Sequence, residues 1–352
     1  MIADRMDCYG CENMRQAAVN TGVDGLANPG ASDALEALVT IDAVGSFFPE
    51  RVMTVEERAM QLELNPAETH MFRRFHGLDR MHYDPEVGLY ELVLPAAQKV
   101  LAQVDPRSVR YVIHCQTDRE AEGTANIADD LKRLLSLDDV TAFTLTQQNC
   151  ALSLTAIDIA GALLRNDGDL AAHALVVTGD KPRSRESQLL ANTCMVADGA
   201  ASCLVSLNGP GAVVRSLATS AKGEYSDGFR MSVETARAHI EELPRNLLGV
   251  MEEAASRAGY KLDDIQMIVP TNPNLSTWPE VVKNPELRSK FFVDNVPRYS
   301  HCLAADVLIN YTTLLDERRF DPQRPSMFIA IGVGMTFSAM VFTPSADMGV
   351  SL

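Results

Sequence analysis

Three residues carry the chemistry this chain is best equipped for: Cys150, His301 and Asp306. Cys150 lies in "LTQQNCALSLTAIDIAGALL" (145–164), where an apolar, β-rich stretch stops and a helical pattern starts. A thiol attacks as its thiolate, and the unpaired N–H groups and dipole of a helix N-terminus stabilise that anion. An imidazole nearby would take up the thiol proton. His301 opens "HCLAADVLIN", and Asp306 follows five residues later, in the first or second turn of the next expected helix. A carboxylate there would orient the imidazole and support its charged form, the third role in a nucleophile–base–orienter set. Position alone leaves other readings open. Cys150 reads equally as a small core residue, His301 as a structural histidine, and Asp306 as an acid complementing a helix dipole. Cys302 is a rival thiol, but it adjoins the histidine it would need and is expected to point elsewhere.

The elements that must position these residues alternate between strand and helix. Strands are expected at 37–49, 109–117, 140–146, 173–180, 200–207, 265–271, 293–299, 326–334 and 337–344. Helices are expected at 94–104, 126–137, 150–164, 249–260 and 303–319. Such alternation predicts an α/β protein with mostly parallel sheets covered by helices. The pattern runs twice. From Cys150 to the strand at Val176, and from His301 to the strand at Phe328, the spacings are 26 and 27 residues, each spanning an apolar helix. Two related halves about an approximate two-fold axis follow from this, with Cys150 and His301 at matching helix starts. The organisation expected is an N-terminal extension (1–38), a half carrying the nucleophile (39–210) and a half carrying the histidine and aspartate (211–352).

Composition removes several function classes. The chain has 352 residues and a formal net charge of −16. So acidic a protein has no general attraction for nucleic acid, and its short basic stretches, "DKPRSR" (180–185) and "DERRF" (316–320), read as solvated surface. No apolar run reaches membrane-spanning length, and the first residues lack the apolar core of a secretory signal, so a cytoplasmic protein with no membrane partner is expected. Seven irregularly spaced cysteines do not form a disulfide framework. "CYGC" (8–11) has no second pair at zinc spacing, so no metal is expected. No phosphate-binding loop and no G-x-S-x-G elbow is present. "GVG" (332–334) lies between the last two strands and would let backbone N–H groups approach a developing oxyanion.

In these motifs, taken in order from about residue 38 to 345, the chain resembles the thiolase-fold ketoacyl-acyl-carrier-protein synthase III (KAS III) family. "VGSFFPERVMTVEER" is similar to its opening strand and turn, "FRRFHGLDRMH" to its R-T-G-I segment, "VADGAASCLVSL" to its F-G-D-G-A-G-A strand and "IGVGMTF" to its terminal glycine turn. The resemblance implies a five-layered αβαβα thiolase fold of two pseudo-repeated βαβαβ halves, and an acylated cysteine at Cys150. It also implies an oxyanion hole formed by the Cys150 and Val333 N–H groups, and Thr271 and Asn274 at the pantetheine end of a substrate tunnel. Two departures carry the functional expectation. Where the condensing enzymes have a histidine, "VPTNPN" places Thr271, keeping Asn274 three residues on. Where they have an asparagine, "SHCLAAD" places His301. A Cys-His-Asn set has become Cys150–His301–Asp306. Paired histidine and asparagine stabilise an enolate after loss of CO2, whereas one imidazole with a carboxylate suits a base that deprotonates an incoming nucleophile. The resemblance therefore implies an acyltransferase of specialised, polyketide-type metabolism. Its donor would be coenzyme A or an acyl carrier protein as thioester, its acceptor a hydroxyl, amine or carrier thiol. No tightly bound cofactor is implied, and a homodimer is. The alternatives are a decarboxylative condensing enzyme and a silent partner in a thiolase-fold heterodimer.

Overall fold

The computed structural model describes residues 31–117, 126–190, 193–226, 228 and 231–345. Nine strands form one hydrogen-bonded sheet: β1 (Val39–Phe47), β2 (Val109–Cys115), β3 (Thr141–Leu145), β4 (His173–Gly179), β5 (Ala200–Leu207), β6 (Ala212–Ala221), β7 (Ile268–Pro270), β8 (Ser326–Gly332) and β9 (Thr336–Thr343). Their order is β7-β8-β9-β6-β1-β5-β4-β2-β3. The sheet is two half-sheets joined between β1 and β6, where Thr40 pairs with Val213 and Ile41 with Ala212. In the first half, β1–β5 and β5–β4 are antiparallel, and β4–β2 and β2–β3 parallel. In the second, β6–β9 and β9–β8 are antiparallel and β8–β7 parallel, followed by a single parallel bridge from Ile268 to Phe291. The same directions recur in the same order, so the repeat expected from the two spacings is a repeat of topology.

Alternation along the strands sorts their side chains into layers. Val176 enters the central core, whereas Leu175 and Val177 enter an outer one. Two helices, α3 (Leu152–Asp167) and α5 (Asp306–Asp316), lie between the half-sheets and share that central core with Val176, Val205, Phe328 and Phe342. Asp306–Asp316 buries nine of its eleven residues, and Leu152–Asp167 buries a broad apolar face that includes Leu154, Ile157 and Leu164. Helices α1 (Leu89–Leu101) and α2 (Ile127–Leu134) cover the outer face of the first half-sheet. Helix α4 (Val233–Arg257) covers that of the second through Leu247, Val250 and Met251. The result is the αβαβα arrangement expected. Among the described residues no helix is long and apolar enough to cross a membrane.

Four sequence expectations are corrected. The sheet is not mostly parallel: five of its eight strand pairings are antiparallel, because β1, β5, β6 and β9 run as antiparallel neighbours through its middle. Residues 293–299 are not a strand: Val296–Tyr299 is a short helix with a proline in its first turn. Valine and tyrosine raise β propensity there, but Pro297 has no N–H for a ladder and fits a first helical turn. The helix expected at 249–260 begins at Val233; its charged first half has no buried stripe to betray it. "DKPRSR" is solvated surface only in part: Arg183 and Arg185 are exposed, but Lys181 pairs with the buried Asp198 and donates to the Asp84 carbonyl oxygen at 2.5 Å. In "DERRF", Arg319 pairs with Asp294 at 2.7 Å and Glu317 at 3.3 Å. "CYGC" and most of the 1–38 extension lie outside the described residues.

Candidate active site

Cys150 sits in a single 3-10 turn, Asn149–Ala151, that runs directly into α3. His301 lies just ahead of the equivalent 3-10 turn, Leu303–Ala305, and Asp306 is the first residue of α5. The repeat thus brings two helix starts together, and the three side chains meet. Cys150 Sγ is 3.3 Å from His301 Nε2, and His301 Nδ1 is 2.5 Å from Asp306 Oδ2. All three are buried, at 2, 4 and 0% exposure. The line runs thiol, imidazole, carboxylate, with each ring nitrogen engaged by one neighbour.

Each member is fixed by the backbone around it. Asp306 Oδ1 accepts the Cys302 N–H at 2.7 Å, and Oδ2 accepts the Asn272 N–H at 2.6 Å besides facing the imidazole. His301 is tied to the other half of the molecule: it bridges Val196 in parallel, and its carbonyl oxygen accepts the Ala197 N–H at 2.9 Å. The preceding Ser300 has φ 56°, and its hydroxyl donates to the Met195 carbonyl oxygen at 2.6 Å. The electrostatics follow from the same geometry. Burial, the largest single influence, pulls the His301 pKa down, but the Asp306 carboxylate beside it, with Cys194 and Cys150 adding when ionised, outweighs burial and holds the imidazole protonated well above its ordinary range.

The turn that carries Val333 presses against the residues just before Cys150. The Asn149 amide donates to the Val333 carbonyl oxygen at 2.6 Å. A Cβ on Gly332 would collide with the Gln148 carbonyl oxygen, so only glycine allows this approach. Thr271 and Asn274 are both buried on the segment that supplies the Asn272 N–H. Thr271 N–H donates to the Ile329 carbonyl oxygen at 3.1 Å. Asn274 ties its own loop to the Thr193 backbone. It donates to the Thr193 carbonyl oxygen at 2.8 Å and accepts from the Ser276 hydroxyl, the Thr277 hydroxyl and the Thr277 N–H.

Cys302 does not face the imidazole; its thiol points to the Tyr299 carbonyl oxygen at 3.8 Å, and burial pushes it well up. Sequence reasoning missed Cys194, which packs with Cys150, Leu190, Val196 and Leu303 in one small apolar cluster. Burial pushes its thiol up to about 12, leaving it a neutral wall residue. It also missed Asn272, Asn295 and Asn310, a buried ladder of amides behind Asp306. Asn272 stood in the quoted "VPTNPN", and Asn310 was the one amide inside the apolar run of α5.

Comparison with known proteins agrees with this architecture. Residues 255–343 match the family model for the C-terminal part of 3-oxoacyl-[acyl-carrier-protein] synthase III. The chain is 25% identical over 263 residues to a beta-ketoacyl-[acyl-carrier-protein] synthase III of Rubrobacter xylanophilus, covering 71% of this chain and 82% of that one. Among solved structures, ChlB3, described as an acyltransferase, superposes with a TM-score of 0.77 at 20% identity, covering 88% of this chain and 98% of its own. A 3-oxoacyl-[acyl-carrier-protein] synthase III from Aquifex aeolicus gives 0.73 at 18% identity, covering 87% and 99%. With its C-terminal part matched by that family model and its sequence similar to a synthase III over 71% of its length, this chain has the thiolase fold of the solved synthase III structures.

Proposed function

We propose that the chain is an acyltransferase that carries an acyl group on Cys150 from a thioester to a nucleophilic acceptor. The observation that carries this reading is the line from Cys150 Sγ through both His301 nitrogens to Asp306 Oδ2. His301 Nε2 already holds the thiol proton in the resting pair, so Sγ attacks the thioester carbonyl as the thiolate. The Cys150 and Val333 N–H groups receive the oxyanion of the tetrahedral intermediate. As that intermediate collapses, His301 returns the proton to the departing thiol of coenzyme A or the carrier protein. Acylation then removes the thiolate from beside the ring, one of the influences that keep His301 protonated. Nε2 is thereby freed to take a proton from a hydroxyl, amine or carrier thiol, which attacks the acyl-cysteine and regenerates Sγ. Asp306 keeps the remaining ring proton on Nδ1 throughout. Thr271 and Asn274 shape the pantetheine end of the tunnel, Asn274 by holding its loop. The reading includes a cytoplasmic homodimer serving specialised, polyketide-type metabolism, with no tightly bound cofactor and no metal.

The test is intact-protein mass after incubation with a panel of acyl-CoA and acyl-carrier thioesters. Wild type is expected to gain the acyl mass and Cys150→Ala to gain none. His301→Ala transferring acyl groups to an acceptor as fast as wild type would overturn the reading.

A second reading has its own support, since the curated relatives are named beta-ketoacyl-[acyl-carrier-protein] synthases III. It is decarboxylative condensation with a malonyl-type extender. Thr271, where such enzymes carry histidine, stands against it. Release of CO2 coupled to a longer acyl product would decide for it.

A further inference from the structure

Asn310 lies one helical turn beyond Asp306 on α5, so both side chains leave the same face of that helix. That face holds the 270–272 segment at two points. Asp306 Oδ2 accepts the Asn272 N–H at 2.6 Å. The Asn310 amide donates to the Pro270 carbonyl oxygen at 2.8 Å and to Asn272 Oδ1 at 2.8 Å. Its own oxygen accepts from Asn272 Nδ2 at 3.2 Å and from Asn295 Nδ2 at 2.9 Å. Both amide hydrogens and both oxygen lone pairs of Asn310 are therefore used. Asn272, Asn295 and Asn310 are all fully buried. Amides in such a place are costly relative to apolar side chains that would pack as well, and Asn295 Oδ1 has no hydrogen-bond partner among the described residues. Among the described residues, the ladder's output nearest the chemistry is one N–H, that of Asn272, on the same carboxylate oxygen that faces the imidazole.

We infer that Asn310 is a positioning residue for the His301–Asp306 pair, acting through the Asn272 main chain. It locks the 270–272 segment so that the Asn272 N–H fixes the rotation of the Asp306 carboxylate and aims Oδ2 at His301 Nδ1. The inference deepens the acyl-transfer reading and rests on the same pair. A carboxylate freed to rotate couples less well to the ring, and the imidazole loses part of what keeps it protonated.

The experiment follows the His301 ring directly, by 15N-imidazole NMR titration, with His301→Ala to assign the resonance. Alongside it, the rate of Cys150 carbamidomethylation at pH 7 is read by peptide mass. In Asn310→Leu, nearly isosteric, the His301 titration is expected to move down by about one pH unit and the alkylation rate to fall about tenfold. Asn272→Ala keeps the backbone N–H and the Asn310 bond to Pro270, so a smaller shift in the same direction is expected. Should Asn310→Leu fail to fold, Asn272→Ala decides alone. Folded variants whose His301 titrates as in wild type overturn the inference and leave the acyl-transfer reading standing. A wild-type His301 that titrates as an ordinary imidazole overturns both.

Discussion

At the scale of single residues, the line Cys150–His301–Asp306 stands or falls on the carboxylate. Asp306→Asn keeps the size but places an amide N–H among groups that already donate, two of them backbone N–H groups. Acyl transfer is expected to fall about a thousandfold, with His301 returning towards ordinary imidazole behaviour. The same pair sets a pH dependence whose sign is fixed. A histidine whose folded-state pKa is raised stabilises the fold fully below its unfolded value, 6.5, and that contribution fades as pH rises through the folded value. Thermal unfolding between pH 6 and 9 should therefore show a loss in wild type that Asp306→Asn lacks. These three residues were legible in the sequence because each is a reactive side chain standing at the start of an apolar helix. The amide ladder was not: asparagine carries no charge or nucleophile to mark it, and its value comes from partners 15 to 40 residues away, which no local pattern displays.

Among the elements, β2 carries a histidine that behaves in the opposite way. His114 is fully buried, and burial pushes its pKa down to about 4, with the Gly179 backbone only partly opposing. The fold holds it neutral, so the unfolded chain binds the extra proton below 6.5, and stability falls as pH drops from there to about 4. The loss is at most about 3 kcal/mol, and His114→Leu should remove that acid-side slope from a series of melting curves. The glycine turn after β8 gives a second test. Gly332→Ala forces the turn away from Gln148, and with it the backbone beside Cys150. Acylation is expected to slow about a hundredfold while the melting temperature changes little. Strands with clean apolar runs, such as Ala200–Leu207, were readable to the residue. The misread 293–299 shows the limit: side-chain propensity pointed to a strand, and a proline in the first turn, with the buried Asn295 amide tied to the Thr313 hydroxyl at 2.8 Å, made a helix instead.

For the whole molecule, the repeat was legible because it lives in spacing, which survives when sequence likeness between the halves has gone. What spacing could not reveal is that the halves are unequal at their far edges: β3 completes the first half-sheet, while the second ends in a one-residue bridge at Phe291. Strand β3, Thr-Ala-Phe-Thr-Leu, ends the sheet with no charged residue. An uncharged edge of this kind invites pairing with another chain, and it is where the proposed homodimer would join. Sedimentation of Phe143→Lys should show a lighter species than wild type; an unchanged mass would move the interface elsewhere.

The hydrogen bond from Ala197 N–H to the His301 carbonyl oxygen, with the Val196 bridge beside it, stitches the histidine's segment to the opposite half. The thiol belongs to one half and its imidazole to the other, so neither half owns the chemistry. During synthesis, Cys150 leaves the ribosome about 150 residues ahead of the group that would activate it, and it stays inert until the second half has been made and has closed on the first. On the acyl-transfer reading, reactivity would in this way be a certificate of completed folding: a truncated or half-folded chain would lack the partner that lets Cys150 seize an acyl group. Co-expressed as two separate pieces cut at 207–212, the halves should regain an alkylatable Cys150 only when they assemble.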